Sequence, residues 1–348
     1  MNYAKRGILI IVAGRSFFVR HWFLLPLYLM MLFFLFYTVV FANTEPSREE
    51  VLDTRMAYYL KFEELLVPWY YLAAVDQFER NIQQVRSDIP KRDGVIAIQF
   101  SEDYWLGHLN PNKEDTSPKS IAYFGGNGLD GNGDGVVDSN NDDDVLYTMV
   151  TYLSQFGDTE KGFKQAITEY YERDETVKQI LTTASLYRHF GTLKLDENAF
   201  PIPVAYNFSY QGTWGAKRGW GGRRIHEGTD LFASYGVPVQ STSYGVIEIM
   251  AWNEYGGWRV GIRDSKNTYH YFAHLAYFNK DLKEGDIVEP RTVIGSVGSS
   301  GYGPKGTSGR FPPHLHYGMY KYNGRTEWAF DPYPYLRRWE QQDRSASR

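Results

Sequence analysis

The sequence predicts a multidomain chain in three parts: an N-terminal transmembrane helix, a mostly α domain, and a β-rich domain built on antiparallel sheet. Three observations predict it. Residues 22–42 are uninterruptedly apolar. Apolar residues recur at helical spacing between Leu60 and Phe190. From Val237 onward, short runs of β-branched and aromatic residues are separated by Gly, Asn, Asp and Pro.

The apolar stretch Trp22–Ala42 follows Lys5, Arg6, Arg15 and Arg20 and precedes Glu45, Glu49 and Glu50. At 1.5 Å per residue it reaches about 31 Å, close to the hydrocarbon thickness of a bilayer. The cation bias places residues 1–21 on the cytoplasmic side and the rest outside, so a single-pass protein of the cell membrane is expected. A cleaved signal peptide ending near Ala42 is the competing reading, disfavoured because the apolar run is longer than such segments carry. Residues 43–55 read as a linker.

Residues 56–193 form the expected helical domain. LKFEELLVPWYYLAAVDQFERNIQQVR reads as two helices meeting at Pro68, where a missing N–H and a fixed φ interrupt the ladder. Helical spacing returns over Val145–Phe156, Gly162–Tyr171 and Glu175–Phe190. A linker at 194–203 leads to the β-rich domain, 204–336. Its strands are expected over Val237–Trp252, Trp258–Arg263, Thr268–Leu275 and Thr292–Val297, with a charged tail at 337–348. The chain has no cysteine, so packing and metals, rather than disulfides, must stabilise it outside the cell. With 37 basic against 41 acidic residues, nothing suggests a nucleic-acid partner.

Chemistry concentrates in the β-rich domain. In FPPHLHYGMY, His314 and His316 are two apart, so on a strand both imidazoles face one space. RRIHEGTDLFA adds His226 and Asp230, and YHYFAHL adds His270 and His274. Five of the eight histidines thus fall within residues 226–316. A solvated polar pair explains one His-x-His; it does not explain a cluster of this size, and histidines with a carboxylate suit a zinc site.

These motifs, in this order and with a glycine-rich segment before Pro-His-Leu-His, resemble the lysostaphin-like (LytM-type, duplicated hybrid motif) zinc endopeptidases that cut peptidoglycan peptides. The resemblance covers Tyr206 to Leu336. It implies Zn²⁺ held by His226, Asp230 and His316 with a fourth position open, and His274 and His314 as catalytic groups on that side. His270 matches no family position and reads as structural or as a substrate contact. GSSGYGPKGTSGRFPP is longer than the usual link and is expected to border the groove.

LDGNGDGVVDSNNDDD has the spacing of a calcium loop over 130–141, with oxygens at Asp130, Asn132, Asp134 and Asp138 and Gly135 at the turn. Asn141 stands where such loops prefer a bidentate Glu, so Ca²⁺ affinity is expected to be modest; a solvated acidic loop is the alternative. The helical domain resembles lysozyme-like lytic transglycosylase domains, which implies a glycan site at Glu79 and Gln99. Arg80-Asn81 replaces the small residues usual after the acid, which leaves a domain that only binds glycan as the other reading. Anchor, helical domain and peptidase together most resemble the sporulation peptidases of bacilli that cut L-Ala–D-Glu in spore cortex. The expected function is therefore a membrane-anchored zinc metalloendopeptidase acting on peptidoglycan stem peptides. A non-catalytic cell-wall scaffold, or a bifunctional peptidase and transglycosylase, is the alternative.

Overall fold

The computed structural model describes residues 46–347, apart from 66, 93 and 220–222. Residues Leu52–Arg348 pack as one compact unit. Helices α1 (Arg48–Lys61) and α2 (Trp69–Val85) flank Pro68, which occupies the N-cap of α2 with an extended ψ of 136°. Short helices α3 (Glu102–Leu106) and α4 (Pro118–Tyr123) start at Ser101 and Ser117, whose hydroxyls cap free backbone N–H groups. Helices α5 (Asp142–Ser154), α6 (Glu160–Tyr171) and α7 (Asp174–Phe190) complete the layer. Asn141 and Thr159 cap α5 and α6, and Gly191 ends α7 in the left-handed conformation.

The β region runs β1 (Phe208–Tyr210), β2 (Lys217–Arg218), β3 (Arg224–Ile225), β4 (Thr229–Ala233), β5 (Pro238–Gln240), β6 (Gly245–Asn253), β7 (Gly257–Arg263), β8 (Thr268–Phe278), β9 (Ile287–Val288), β10 (Val293–Val297), β11 (His314–Tyr322) and β12 (Glu327–Phe330). Among the described residues ten of these strands form one antiparallel sheet whose central path is β1-β4-β11-β8-β7-β6-β9. Alternation decides its faces. On β11, Leu315, Tyr317 and Met319 are buried in a core with Leu231 and Phe272, while His314 and His316 take the opposite face. Burying each such apolar side chain contributes about 2 kcal/mol.

Most of the segment read from sequence as a charged tail, 337–348, instead belongs to helix α8 (Tyr333–Ala346). Leu336, Trp339 and Asp343 lie three and four apart and are buried, so a helical face docks on the sheet core. Within 194–203, Ala199, Phe200 and Ile202 are fully buried. The helical layer rests against strand ends of the same sheet: Asn81 Nδ2 donates to the Ser265 carbonyl, in the β7–β8 turn, at 3.0 Å, and Tyr322, the last residue of β11, joins the helical core.

The expected fold class and localisation need correction on one point. Among the described residues no helix is long and apolar enough to cross a membrane. The longest, α2 and α7, have 17 residues each and carry charged and amide side chains, so each buries one face against protein. The described chain therefore offers no element for the single-pass anchor that the sequence reading required. The stretch 22–42, on which that reading fell, lies outside the described residues.

Candidate active site

Register brings the first ligands together. On β4 and β11, Asp230 pairs with His316, so neighbouring strands deliver a carboxylate and an imidazole side by side. His226 sits just after β3 and is fixed by its backbone, its N–H donating to Ala216 and its carbonyl accepting from Gly215. A Cβ at Gly228 would strike the His316 ring at 2.6 Å, so only glycine lets the HEGTD turn pass this close.

The three side chains converge. His226 Nε2 lies 2.8 Å from His316 Nδ1 and 3.0 Å from Asp230 Oδ1, and His316 Nδ1 lies 3.1 Å from that oxygen. Among the described residues this is the group of three or more His, Cys, Asp or Glu able to hold a metal ion, with all ligand atoms within 4.8 Å of one another. The supporting contacts suit such use. Thr213's carbonyl takes the His226 Nδ1 proton at 3.0 Å, leaving Nε2 with a lone pair. Arg218 donates to the other Asp230 oxygen at 2.6 Å. Burial raises the Asp230 carboxyl, but the adjacent His226 and His316 rings overcome it and hold the group well below the ordinary carboxylate range. The donor set, two imidazoles and one ionised carboxylate with buried ligand atoms, fits zinc.

Two further histidines stand over the cluster. His274 takes a left-handed backbone conformation at φ 63°, unusual for a side chain of this size, and its N–H donates to Gly256 at 2.7 Å. Its Nδ1 proton goes to the Ser300 carbonyl at 2.8 Å, and that of His314 to the Pro312 carbonyl at 2.9 Å. Carbonyls only accept, so both rings leave Nε2 unprotonated. The rings are 4.8 Å apart, and His314 Nε2 is 3.7 Å from Asp230 Oδ1. Burial pushes both imidazoles below their ordinary pKa, and for His274 the neighbouring His314 and His316 add to it. A cavity of about 840 Å³ opens over the cluster, lined also by Arg218, Arg259, Tyr271 and Tyr302. The glycine-rich segment before β11 does border it: Phe311 packs on His274 with centroids 4.7 Å apart.

His270 is elsewhere. It projects to the core face, where its Nδ1 meets Thr242 and Tyr317 and its Nε2 meets Asp264 at 3.2 Å. Glu79 and Gln99 hold different partners: Glu79 accepts from the Tyr171 hydroxyl at 2.6 Å, while the Gln99 amide donates to the Pro90 carbonyl. Burial lifts Glu79 to about 7, against the Tyr171 bond. In the acidic loop, Asp130 accepts from the N–H groups of Gly133, Asp134 and Gly135, Asp134 from Val136, and Asp138 from Asn140. Asn132 bonds the Asp134 N–H, and Asn141 serves as a helix cap. These oxygens fold the loop through its own N–H groups.

Arg218, Thr213, Arg259 and Tyr271 escaped the sequence reading. Arg259 had a faint signal: in GWRVGIR, buried Val260 and Ile262 alternate with residues that must face the groove.

A histidine and aspartate cluster beneath two neutral imidazoles, at the floor of an open groove, is the equipment of metal-dependent hydrolysis. Residues 224–332 match the model of peptidase family M23. The chain is 55% identical over 300 residues to the L-Ala--D-Glu endopeptidase of Bacillus subtilis, covering 86% of this chain and 92% of that protein. It is 33% identical over 115 residues to lysostaphin of Staphylococcus staphylolyticus, covering 32% of this chain and 22% of that protein. Among solved structures, the catalytic domain of the antimicrobial peptidase lysostaphin from Staphylococcus simulans is 30% identical, with a TM-score of 0.33, covering 40% of this chain and 99% of that one. The chain belongs to peptidase family M23 and is a peptidoglycan endopeptidase.

Proposed function

We propose that this endopeptidase hydrolyses the bond between L-Ala and D-Glu in peptidoglycan stem peptides, with zinc held by His226, Asp230 and His316. The observation that carries the bond assignment is the similarity to the Bacillus subtilis enzyme of that name, which spans the helical layer as well as the sheet. Zinc, when bound, supplies Lewis acidity toward the scissile carbonyl and toward water. The chain's own residues do the rest. Arg218 keeps Asp230 ionised and oriented, and Thr213 fixes the His226 tautomer. His274 and His314, neutral at neutral pH and aimed by carbonyls behind them, present Nε2 lone pairs to the groove. One accepts the proton lost by water as it attacks the carbonyl carbon, and a protonated ring returns a proton to the amine nitrogen as the C–N bond breaks.

Digestion of purified peptidoglycan followed by mass spectrometry tests the assignment. Glycan strands bearing a single L-Ala and released peptides with new N-terminal Glu are expected. Cleavage confined to cross-bridges would overturn the bond assignment.

A further inference from the structure

Glutamate carries two carboxyl groups, and a peptide continues through one of them. The other stays free and charged, one carbon from the nitrogen released when L-Ala–D-Glu is cut. The groove must therefore accommodate an anion close to the reacting carbonyl, and burying an unpaired carboxylate there is costly.

The structure offers a cation in position. His316 pairs with Ala273 on β8, and on β7 the registers Trp258 with Leu275 and Val260 with Phe272 leave Arg259 opposite Ala273 and His274 across a register shift. His316, Ala273 and Arg259 thus form a row across three strands, roughly 10 Å wide at the usual strand spacing. The middle member has only a methyl group. The Arg259 Cζ lies 5.9 Å from the centroid of Tyr271, whose ring is 5.9 Å from that of His316. Arg259 and Tyr271 line the same cavity as the histidines.

Three of the other cations that line the cavity, those lying nearest its acids, are paired. Arg218 is paired with Asp230, Arg263 with Glu248 and Glu327, and Lys178 with Glu248. Arg259 has no acidic partner among the described residues, and its buried Nε has no hydrogen-bond partner. A half-buried guanidinium stacked by a tyrosine and lacking a counter-ion is prepared for a planar anion.

We propose that Arg259 binds the free carboxylate of the glutamate on the leaving side of the cut bond and so sets the preference for an acidic residue there. The proposal rests on the L-Ala–D-Glu assignment and adds the residue that reads the D-Glu side. Arg259 is a specificity residue; it moves no proton. A charge-assisted pair of this kind is worth about 10- to 100-fold in discrimination.

Two synthetic stem peptides test it, one with the free carboxylate and one with that group as the carboxamide. Each is cut by the zinc-loaded full-length chain, and kcat/KM and the fragments are recorded. The unmodified chain should favour the carboxylate by about 10- to 100-fold, mainly through KM. In R259Q the preference should collapse toward one, and R259K should restore part of it. Calorimetry of the released glutamyl peptide and its amide on the same proteins should show the same preference and its loss without turnover. An R259Q chain that keeps the preference, or an R259K chain as indifferent as R259Q while still binding zinc, would overturn the role. Fragments showing that the unmodified chain leaves L-Ala–D-Glu intact would overturn the bond assignment itself, whatever the variants do.

Discussion

Two regions of this molecule hold titratable groups far from their ordinary pKa, and they are built differently. On the sheet, a turn before β4 and the strands β4, β8 and β11 deliver side chains to one point, and four of the five delivered groups have a partner behind them: Thr213 for His226, Arg218 for Asp230, Ser300 for His274, Pro312 for His314. In the helical layer, Glu79 is perturbed chiefly by burial and meets one phenol, that of Tyr171. The layer's strongest polar network instead surrounds Asp76, which takes Arg55 at 3.0 Å and Tyr59 at 2.6 Å on one oxygen and the Ala97 N–H on the other. Burial raises Asp76, and Arg55 and Arg80 bring it below the ordinary range, the pattern of a structural ion pair. A shifted pKa therefore does not mark function by itself; on the sheet the shifted groups also share an open cavity, which Asp76 does not line.

The sharpest way to break the contrast is on the sheet. His226→Ala should lose both bound zinc and peptide cleavage, by at least about 1,000-fold, whereas metal content near one per chain in that variant would exclude the ligand set. His314→Ala should retain zinc and lose about 100- to 10,000-fold in kcat, the scale of general acid–base catalysis. A metal-free His314→Ala would move that residue from proton transfer to ligation. Asp76→Ala should leave the chemistry of any folded fraction intact but cost about 3–5 kcal/mol in denaturant unfolding, because Arg55 is left buried without its partner. Unfolding within 1 kcal/mol of the parent would remove the structural reading.

The smallest effect belongs to Glu79. Its folded pKa, about 7, is raised by burial above the ordinary glutamate value of 4.5. The folded state thus holds its proton more tightly, so this contribution to stability is full below about pH 4.5 and is lost as pH rises toward 7. Glu79→Gln should remove a slope of roughly 1–3 kcal/mol across that window while peptide cleavage stays within about twofold. Loss of cleavage in that variant would tie the helical layer to the chemistry.

The contrast also explains what sequence could reveal. The His314 and His316 pair was legible because strand alternation converts spacing into direction, two residues apart meaning one face; His226 and Asp230 joined it as ligands through the resemblance to the zinc endopeptidases. The helix break at Pro68 was legible, where local chemistry acts alone, whereas the starts of α5 and α6 were read at Val145 and Gly162, inside their caps Asn141 and Thr159. The closing helix was not, because Leu336, Trp339 and Asp343 are sparse among charges and only the sheet core supplies their partner. Arg259 and Arg218 were invisible for a similar reason. Their meaning lies in pairing or its lack across strands, which no spacing records. The calcium pattern at 130–141 shows the reverse, since the same Asp and Asn spacing that suits an ion also serves to fold a turn through its own N–H groups.

The central claim is that catalysis belongs to the metal cluster on the sheet. It is tested most directly by titrating zinc into chelated full-length protein while counting peptide bonds cut in peptidoglycan, with His226→Ala and Glu79→Gln in parallel. Cleavage should rise in proportion to bound zinc, saturate near one per chain, follow the same line in Glu79→Gln and be absent in His226→Ala. Undiminished cleavage by the chelated protein or by His226→Ala would contradict the account.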